Sequence, residues 1–275
     1  MKLSLSVRIA ESAGRKDRAA VPIEELAPLA RAAGFDGLSM RASVVSVESP
    51  PDRVRRVRDL LDREGLVASM VMGNVALAAN TPDAPDALRN ITPHLDLADA
   101  LSARLVRIMM QHEDDIPHAR RAADEAAERG LTLAHQTHWG TLCETVDQAI
   151  DLVRRIERAN FGITFEPSNL RACGSAYGPD AVARLVPHLV NFYFQNVRFH
   201  AGGSHVFHSR GRGPAPLDYV ALDDPAGIAV APLIEALAAA GYDGWLSVHQ
   251  PLRDGQAVPD AITEAARVFR PLIPL

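Results

Sequence analysis

The chain is short of lysine and cysteine and has no long apolar run, and each shortage removes a class of chemistry. Of its 29 basic residues only Lys2 and Lys16 are lysines. Arginine stays protonated and cannot form an imine, so Schiff-base catalysis of the lysine-aldolase type is not expected. The two cysteines, Cys143 and Cys173, lack CxxC spacing, which argues against a disulfide framework and a structural zinc site. No apolar stretch approaches the roughly 18 residues that span a bilayer. Residues 3–10 include Arg8 and lack a small-residue cleavage site, so a cytoplasmic protein with no membrane partner is expected. A net charge of -5 argues against the basic stripe of a nucleic-acid binder. There is no GxGxxG, no P-loop and no GxSxG elbow to support a nucleotide site or a serine hydrolase.

What is present is a regular alternation. With 275 residues, 47% of them hydrophobic, the chain can bury one large core, and single α/β barrels occupy about 250 residues. One domain over residues 1–275 is expected. Strand patterns occur at 3–9, within 32–40, at 66–73 and 104–110, within 131–140, at 161–166 and 191–197, and within 239–249. Helical patterns lie between them, opened by Pro22, Ser49-Pro50, Thr81-Pro82, Pro117 and Pro179 and closed by Gly34, Gly65 and Gly130. Thr141 and Glu144 form a capping-box pattern ahead of Val146, Ile150, Val153 and Ile156. AAGFDGLS and AAGYDGWLS repeat one helix-to-strand junction near the two ends of the chain. Eight strands alternating with helices predict an α/β fold, a (β/α)8 TIM barrel, with an open doubly wound sheet as the runner-up. Residues 198–227, rich in Gly, His, Arg and Pro, read as a long lid-like loop.

Barrel enzymes keep their chemistry at the C-terminal ends of the strands. Alternate strand residues face inward, which groups Ala134, Gln136 and His138, then Gly162, Thr164 and Glu166, then Trp245, Ser247 and His249. With Gln195 these place Gln136, His138, Glu166, Gln195 and His249 around one mouth. His135 has the opposite parity and is directed toward the helices. Arg41, Asn74, Arg107 and His112, at or near the ends of strands two to four, are candidates for substrate hydroxyls or anions, as is His200 in the lid. His200, His205 and His208 form a histidine-rich tract there.

Several spaced motifs carry a resemblance that covers most of the chain. GLTLAHQTHWG is similar to the pattern GVxLALENHxG, FGITFEPSNL to vGltfDpgn, FYFQNV to hvHlkD and GYDGWLSVH to GYdGxlslE. These are motifs of the sugar phosphate isomerase/epimerase family, which shares the xylose isomerase-like barrel with inosose dehydratase and the apurinic endonucleases. The resemblance implies a divalent metal (Mn, Mg, Co or Zn) held at the ends of strands five to eight. The ligand positions of that family, Glu, Asp, His and Glu, fall here on Gln136, Glu166, Gln195 and His249. Formal ligand charge therefore falls from about -3 to about -1, which weakens metal affinity.

The expected activity is that of a metal-assisted isomerase or lyase (dehydratase). Its substrate is a keto-sugar or keto-polyol, transformed through an enediolate, with His249, His138 and Glu166 as catalytic groups. Imidazole titrates near pH 6.5, which makes the two histidines the expected bases. Absence of the family's glutamate pair favours one-base elimination over two-base epimerisation. The rivals are a non-catalytic or partner-dependent sugar-binding barrel and an apurinic endonuclease. Barrels of this kind are commonly dimers or tetramers, so a homo-oligomer is expected.

Overall fold

The structure, a computed structural model, describes residues 1–12 and 14–273. Eight parallel strands close into a barrel: β1 (Lys2–Ser6), β2 (Gly37–Met40), β3 (Val67–Val71), β4 (Leu105–Ile108), β5 (Thr132–Gln136), β6 (Phe161–Phe165), β7 (Leu189–Phe194) and, last in the chain, β11 (Trp245–Val248). Closure is made by β1 lying between β2 and β11, with Leu5 opposite both Leu38 and Val248. The main outer helices are α1 (Ile23–Ala32), α2 (Pro51–Glu64), α5 (Thr92–Ala100), α6 (Asp115–Glu128), α7 (Val146–Ile156), α9 (Pro179–Leu185), α10 (Ala231–Ala239) and α11 (Val258–Phe269). Short helices α3 (Val75–Ala79), α4 (Asp86–Arg89) and α8 (Pro167–Ala172) lie between strands and main helices. Among the described residues no helix is long and apolar enough to cross a membrane.

The alternation in each strand divides the core in two. Leu3 and Leu5, Leu133, Ile163 and Phe165, Phe192 and Phe194, and Leu246 and Val248 pack in the main apolar cluster shared with the helices. Inside the barrel polar residues surround a small apolar cluster of Met70, Leu105, Ala134 and Tyr193. Ser4 and Ser69 hydrogen-bond across it at 2.6 Å, Ser247 donates to Asn191 at 3.0 Å, and Tyr193 shares a 2.7 Å bond with Ser39. Near its N-terminal end the interior is closed by Trp245, whose ring would come within 3.0 Å of a Cβ placed at Gly37. The floor of the mouth is therefore polar before any ligand arrives.

The structure differs from the sequence reading in four main places, the first being that the strand expected over 3–9 ends at Ser6 and gives way to a 3-10 helix, Val7–Ala10. The helix expected from Thr81 is divided into α4 and α5, and α3 precedes it, because Asn80 takes a left-handed conformation (φ 55°) that stops α3 after five residues. The capping box of α7 is made by Thr145 and Gln148, not by Thr141 and Glu144. Thr141 instead donates to the His138 carbonyl at 2.7 Å. Residues 198–227 are not a loop throughout. β8 (Val197–Phe199), β9 (His205–Ser209) and β10 (Gly213–Tyr219) form an antiparallel sheet in the order β8-β10-β9, which caps the mouth.

Candidate active site

A cleft of about 970 Å³ opens at the C-terminal ends of the strands, beneath the cap. Gln136 ends β5, Glu166 follows β6, Gln195 follows β7 and His249 follows β11, and all four line the cleft together with His138, Arg41 and Arg107. Three other candidates do not line it. Asn74 caps α3, its Oδ1 accepting the Leu77 N–H at 2.8 Å. His112 is exposed at the start of α6, where its N–H donates to Asp115. His200 lies on the cap and bonds through Nε2 to Asp218, itself a lining residue. His135 is buried outside the barrel, where its Nε2 accepts the Met110 N–H at 2.9 Å.

Glu166 is the centre of the arrangement. Its side chain is fully buried; Oε2 accepts from Gln136 Nε2, and Oε1 accepts from Gln195 Nε2 and, at 2.8 Å, from Ser168 Oγ. Burial raises its pKa above the ordinary carboxylate value, against the opposing pull of these hydrogen bonds and of Arg8 and Arg107. Gln195 is fixed from both ends, because its Oε1 accepts Arg8 Nη1 at 2.7 Å. Arg8 also donates to the His249 carbonyl at 3.2 Å and to the Tyr219 hydroxyl of the cap at 2.9 Å.

Both histidines of the mouth are held neutral. His249 stacks on Tyr193 with ring centroids 4.2 Å apart, and its Nδ1 lies 3.0 Å from Ser6 Oγ. Burial, then the nearby Arg8, Arg41 and Arg107, place its pKa well below 6.5. Ser6 Oγ also accepts the Arg8 backbone N–H at 3.3 Å, and with its proton or its second lone pair it satisfies His249 Nδ1. His249 Nε2 has no hydrogen-bond partner among the described residues. The tautomer of His138 is fixed by its partners: Nδ1–H donates to the Trp139 carbonyl at 2.6 Å, and Nε2 accepts from Asn80 at 3.1 Å. Burial, with Arg107 next, lowers its pKa to about 3. Asn80 is oriented in turn by Arg107, which donates to its Oδ1 at 2.6 Å.

Two arginines at the mouth are placed differently. Arg41 is spent on a buried ion pair with Glu11 at 2.5 Å. Arg107 has no carboxylate partner among the described residues; it binds carbonyl and amide oxygens, and burial lowers its pKa to about 10. Lys16 also lines the cleft, 3.5 Å from Glu11, with a pKa lowered to about 8 by burial and by Arg8 and Arg41.

The donor set does not fit a divalent ion. Among the described residues no group of three or more His, Cys, Asp or Glu side chains is placed to hold a metal. The two amides that resemblance put among the ligands turn their NH2 groups to Glu166 instead. Sequence reasoning missed Arg8, Asn80 and Tyr219. Arg8 was within its reach, since Ser4, Ser6 and Arg8 share one parity of the strand expected over 3–9, although Arg8 lies in the 3-10 helix Val7–Ala10 that follows β1.

The chain belongs to the xylose isomerase-like TIM barrel family, whose profile matches residues 27–272. It is 26% identical over 269 residues to the rhizopine catabolism protein MocC of Rhizobium meliloti, spanning 86% of this chain and 77% of that protein. Its fold is shared with the probable 3-DHS dehydratase AsbF of Bacillus anthracis (TM-score 0.73, 17% identity, 98% of this chain and 99% of that one). It is shared also with a xylose isomerase-like barrel of Mycobacterium smegmatis in complex with magnesium (TM-score 0.70, 15% identity, 98% and 96%). A third such structure is a D-allulose 3-epimerase from Methylomonas sp. (TM-score 0.66, 14% identity, 99% and 98%).

Proposed function

We propose that the cleft isomerises or dehydrates a keto-sugar or keto-polyol through an enediolate, with Glu166 as the base. The observation that carries this reading is the buried Glu166 carboxylate, whose Oε2 has one donor, Gln136, and so keeps a lone pair. Desolvation makes it a stronger base than an exposed carboxylate, and a base matched to its task contributes about 10²–10⁴ in rate. Glu166 takes the proton from the carbon beside the carbonyl, and the electron pair moves onto the carbonyl oxygen. In a dehydration the enediolate re-forms the carbonyl and expels a β-hydroxyl, which leaves as water by taking the proton held on Glu166, with His249 placed to hydrogen-bond the departing oxygen. Return of the Glu166 proton to the neighbouring carbon gives isomerisation instead. His138, with its lone pair held by Asn80, shapes the wall and does not take the proton.

One carboxylate base favours elimination, since two-base epimerisation needs a second proton carrier on the opposite face. Glu11, the other carboxylate deep in the cleft, is committed to Arg41 and Lys16. The same framework serves a dehydratase and a 3-epimerase in the structures it resembles, so both outcomes are compatible with the barrel.

The test is exchange of the carbon-bound proton into D2O, followed by NMR over a panel of ketohexoses and keto-inositols. Wild-type protein is expected to exchange and transform one of them, and Glu166→Gln to lose exchange while still being stabilised by the ligand. Full turnover by both Glu166→Gln and His249→Ala would overturn the assignment. Ligand stabilisation without exchange in the wild type would favour the non-catalytic sugar-binding barrel.

A further inference from the structure

We propose that this barrel works without a divalent metal and that Arg8 supplies the fixed positive charge at the substrate carbonyl; the role given to Arg8 rests on the enediolate reading above. The case begins with Glu166. Its two oxygens accept from the Gln136 and Gln195 amides and from Ser168, and an NH2 group turned to a carboxylate offers nothing to a metal. Side-chain amides can flip, but Gln195 is barred from doing so. A flip would set its oxygen against the Glu166 carboxylate and its hydrogens against the Arg8 guanidinium.

What remains at the four strand ends is Gln136 Oε1, His249 Nε2 and the free lone pair of Glu166 Oε2. Only one of these three donors is anionic, and a divalent ion ordinarily takes four to eight ligands with anionic oxygens or thiolates among them. The surrounding charge opposes a cation as well. Arg8 and Arg107 both act electrostatically on Glu166, and neither has a carboxylate partner among the described residues. The other lining carboxylates are Glu11, Asp218 and Asp254. Glu11 is held by Arg41, and Asp218 by His200 and Ser204 on the cap.

Arg8 is built for the role this leaves open. It lies in the 3-10 helix Val7–Ala10 after β1 and lines the cleft, and three contacts fix its guanidinium: Gln195 Oε1, the His249 carbonyl and the Tyr219 hydroxyl. Nη2 spends one hydrogen on Tyr219 and keeps the other. A cationic donor held in place before the substrate arrives stabilises an oxygen that gains charge in the transition state. Tyr219 belongs to β10, so the cap supplies one of the three contacts that place this charge and the barrel the other two.

The first test needs no substrate. Metal analysis of protein purified without chelator, and Mn²⁺ titration followed by electron paramagnetic resonance, are expected to show no stoichiometric metal. The triple variant Arg8→Gln, Gln136→Glu, Gln195→Glu removes one cation and adds two carboxylates, and is expected to gain Mn²⁺ binding. The second test uses turnover. EDTA dialysis is expected to leave the wild type unchanged, and Arg8→Ala to lower kcat by about 100-fold or more. Guanidinium ion, kept below denaturing concentration, is expected to restore part of that loss, and Mn²⁺ none of it. Arg8→Lys, which keeps the charge and loses the fork, is expected to fall between.

One metal per wild-type chain, released by Glu166→Gln, would overturn the proposal. So would full activity in Arg8→Ala. If no carbonyl compound is transformed while the wild type refuses Mn²⁺ and the triple variant binds it, the enediolate reading and the Arg8 role fail and the metal-free site stands.

Discussion

Glu144 reaches from the loop after β5 to the cap, where its Oε1 accepts the Arg210 backbone N–H at 2.8 Å. The same carboxylate accepts from Gly140 N–H at 2.7 Å, Ser209 Oγ at 3.0 Å and Gly211 N–H at 3.2 Å. Four donors from two separate segments thus meet on one buried acid, which joins the β9–β10 turn to a wall of the cleft. Trp139, stacked on Phe207 at 5.8 Å, adds an apolar contact beside it.

Glu144→Gln is expected to loosen the cap and leave the barrel standing. The substituted amide turns one NH2 group toward N–H and O–H donors, and each buried donor left without an acceptor costs about 1–3 kcal/mol. Hydrogen exchange is expected to accelerate at residues 209–211 and to stay slow in β1 to β7. KM is expected to rise more than kcat falls, because the cap carries Tyr219 and His205 over the cleft. Equal acceleration of exchange in cap and barrel would show that Glu144 supports the whole fold instead.

The framework was legible because barrel strands announce themselves by parity. Leu133 and His135 against Ala134 and Gln136, or Phe192 and Phe194 against Tyr193 and Gln195, separate a helix-facing side from a mouth-facing side in the bare sequence. That rule placed Gln136, Glu166, Gln195 and His249 on one cleft wall after another. It could not assign their protons. Whether His249 presents a lone pair or an N–H depends on Ser6, 243 positions away, and whether His138 is open depends on an Asn80 amide oriented by Arg107. The cap was illegible for a related reason. Its strands alternate only partly, with Pro214 and Pro216 in β10, and the pairing that makes them a sheet is antiparallel and separate from the barrel.

Acid is expected to destabilise the protein well above the usual carboxylate range. Burial lowers His94 and His135 to about 4 and His138 to about 3, and places His249 well below 6.5. In the unfolded chain all four titrate near 6.5. Between those limits the unfolded state binds protons that the folded state refuses, so their contribution is full above about pH 6.5 and is lost as pH falls toward 4. The raised pKa of Glu166 has the opposite sign and offsets part of this. Urea midpoints measured from neutral pH downward should therefore fall steeply. His94→Leu, outside the cleft and replacing a ring whose Nδ1 has no partner, should reduce that slope by about one proton. A flat midpoint across this range would refute the assignment of neutral buried histidines.

Asn80→Asp is expected to reverse the state of His138. Asn80 occupies the left-handed region, at φ 55° and ψ 43°, which Asp also tolerates, so the backbone need not change. Its Oδ1 accepts from Arg107 and its Nδ2 donates to His138 Nε2, a lone pair that is thereby spent. A carboxylate at this position keeps the Arg107 contact and removes the donor. His138 Nδ1–H is already committed to the Trp139 carbonyl, so Nε2 can meet the new acceptor only by taking up a proton. The opposite charge beside it then raises the His138 pKa from about 3 toward or above the ordinary imidazole value. Nitrogen-15 chemical shifts of the ring, followed against pH, read this directly. An imidazolium in the cleft also draws on Glu166, lowering its pKa and weakening it as a base, so turnover of an identified substrate is expected to fall as His138 becomes protonated. If His138 stays neutral through pH 5 in the variant, the Arg107–Asn80 chain does not set its protonation, and burial alone does.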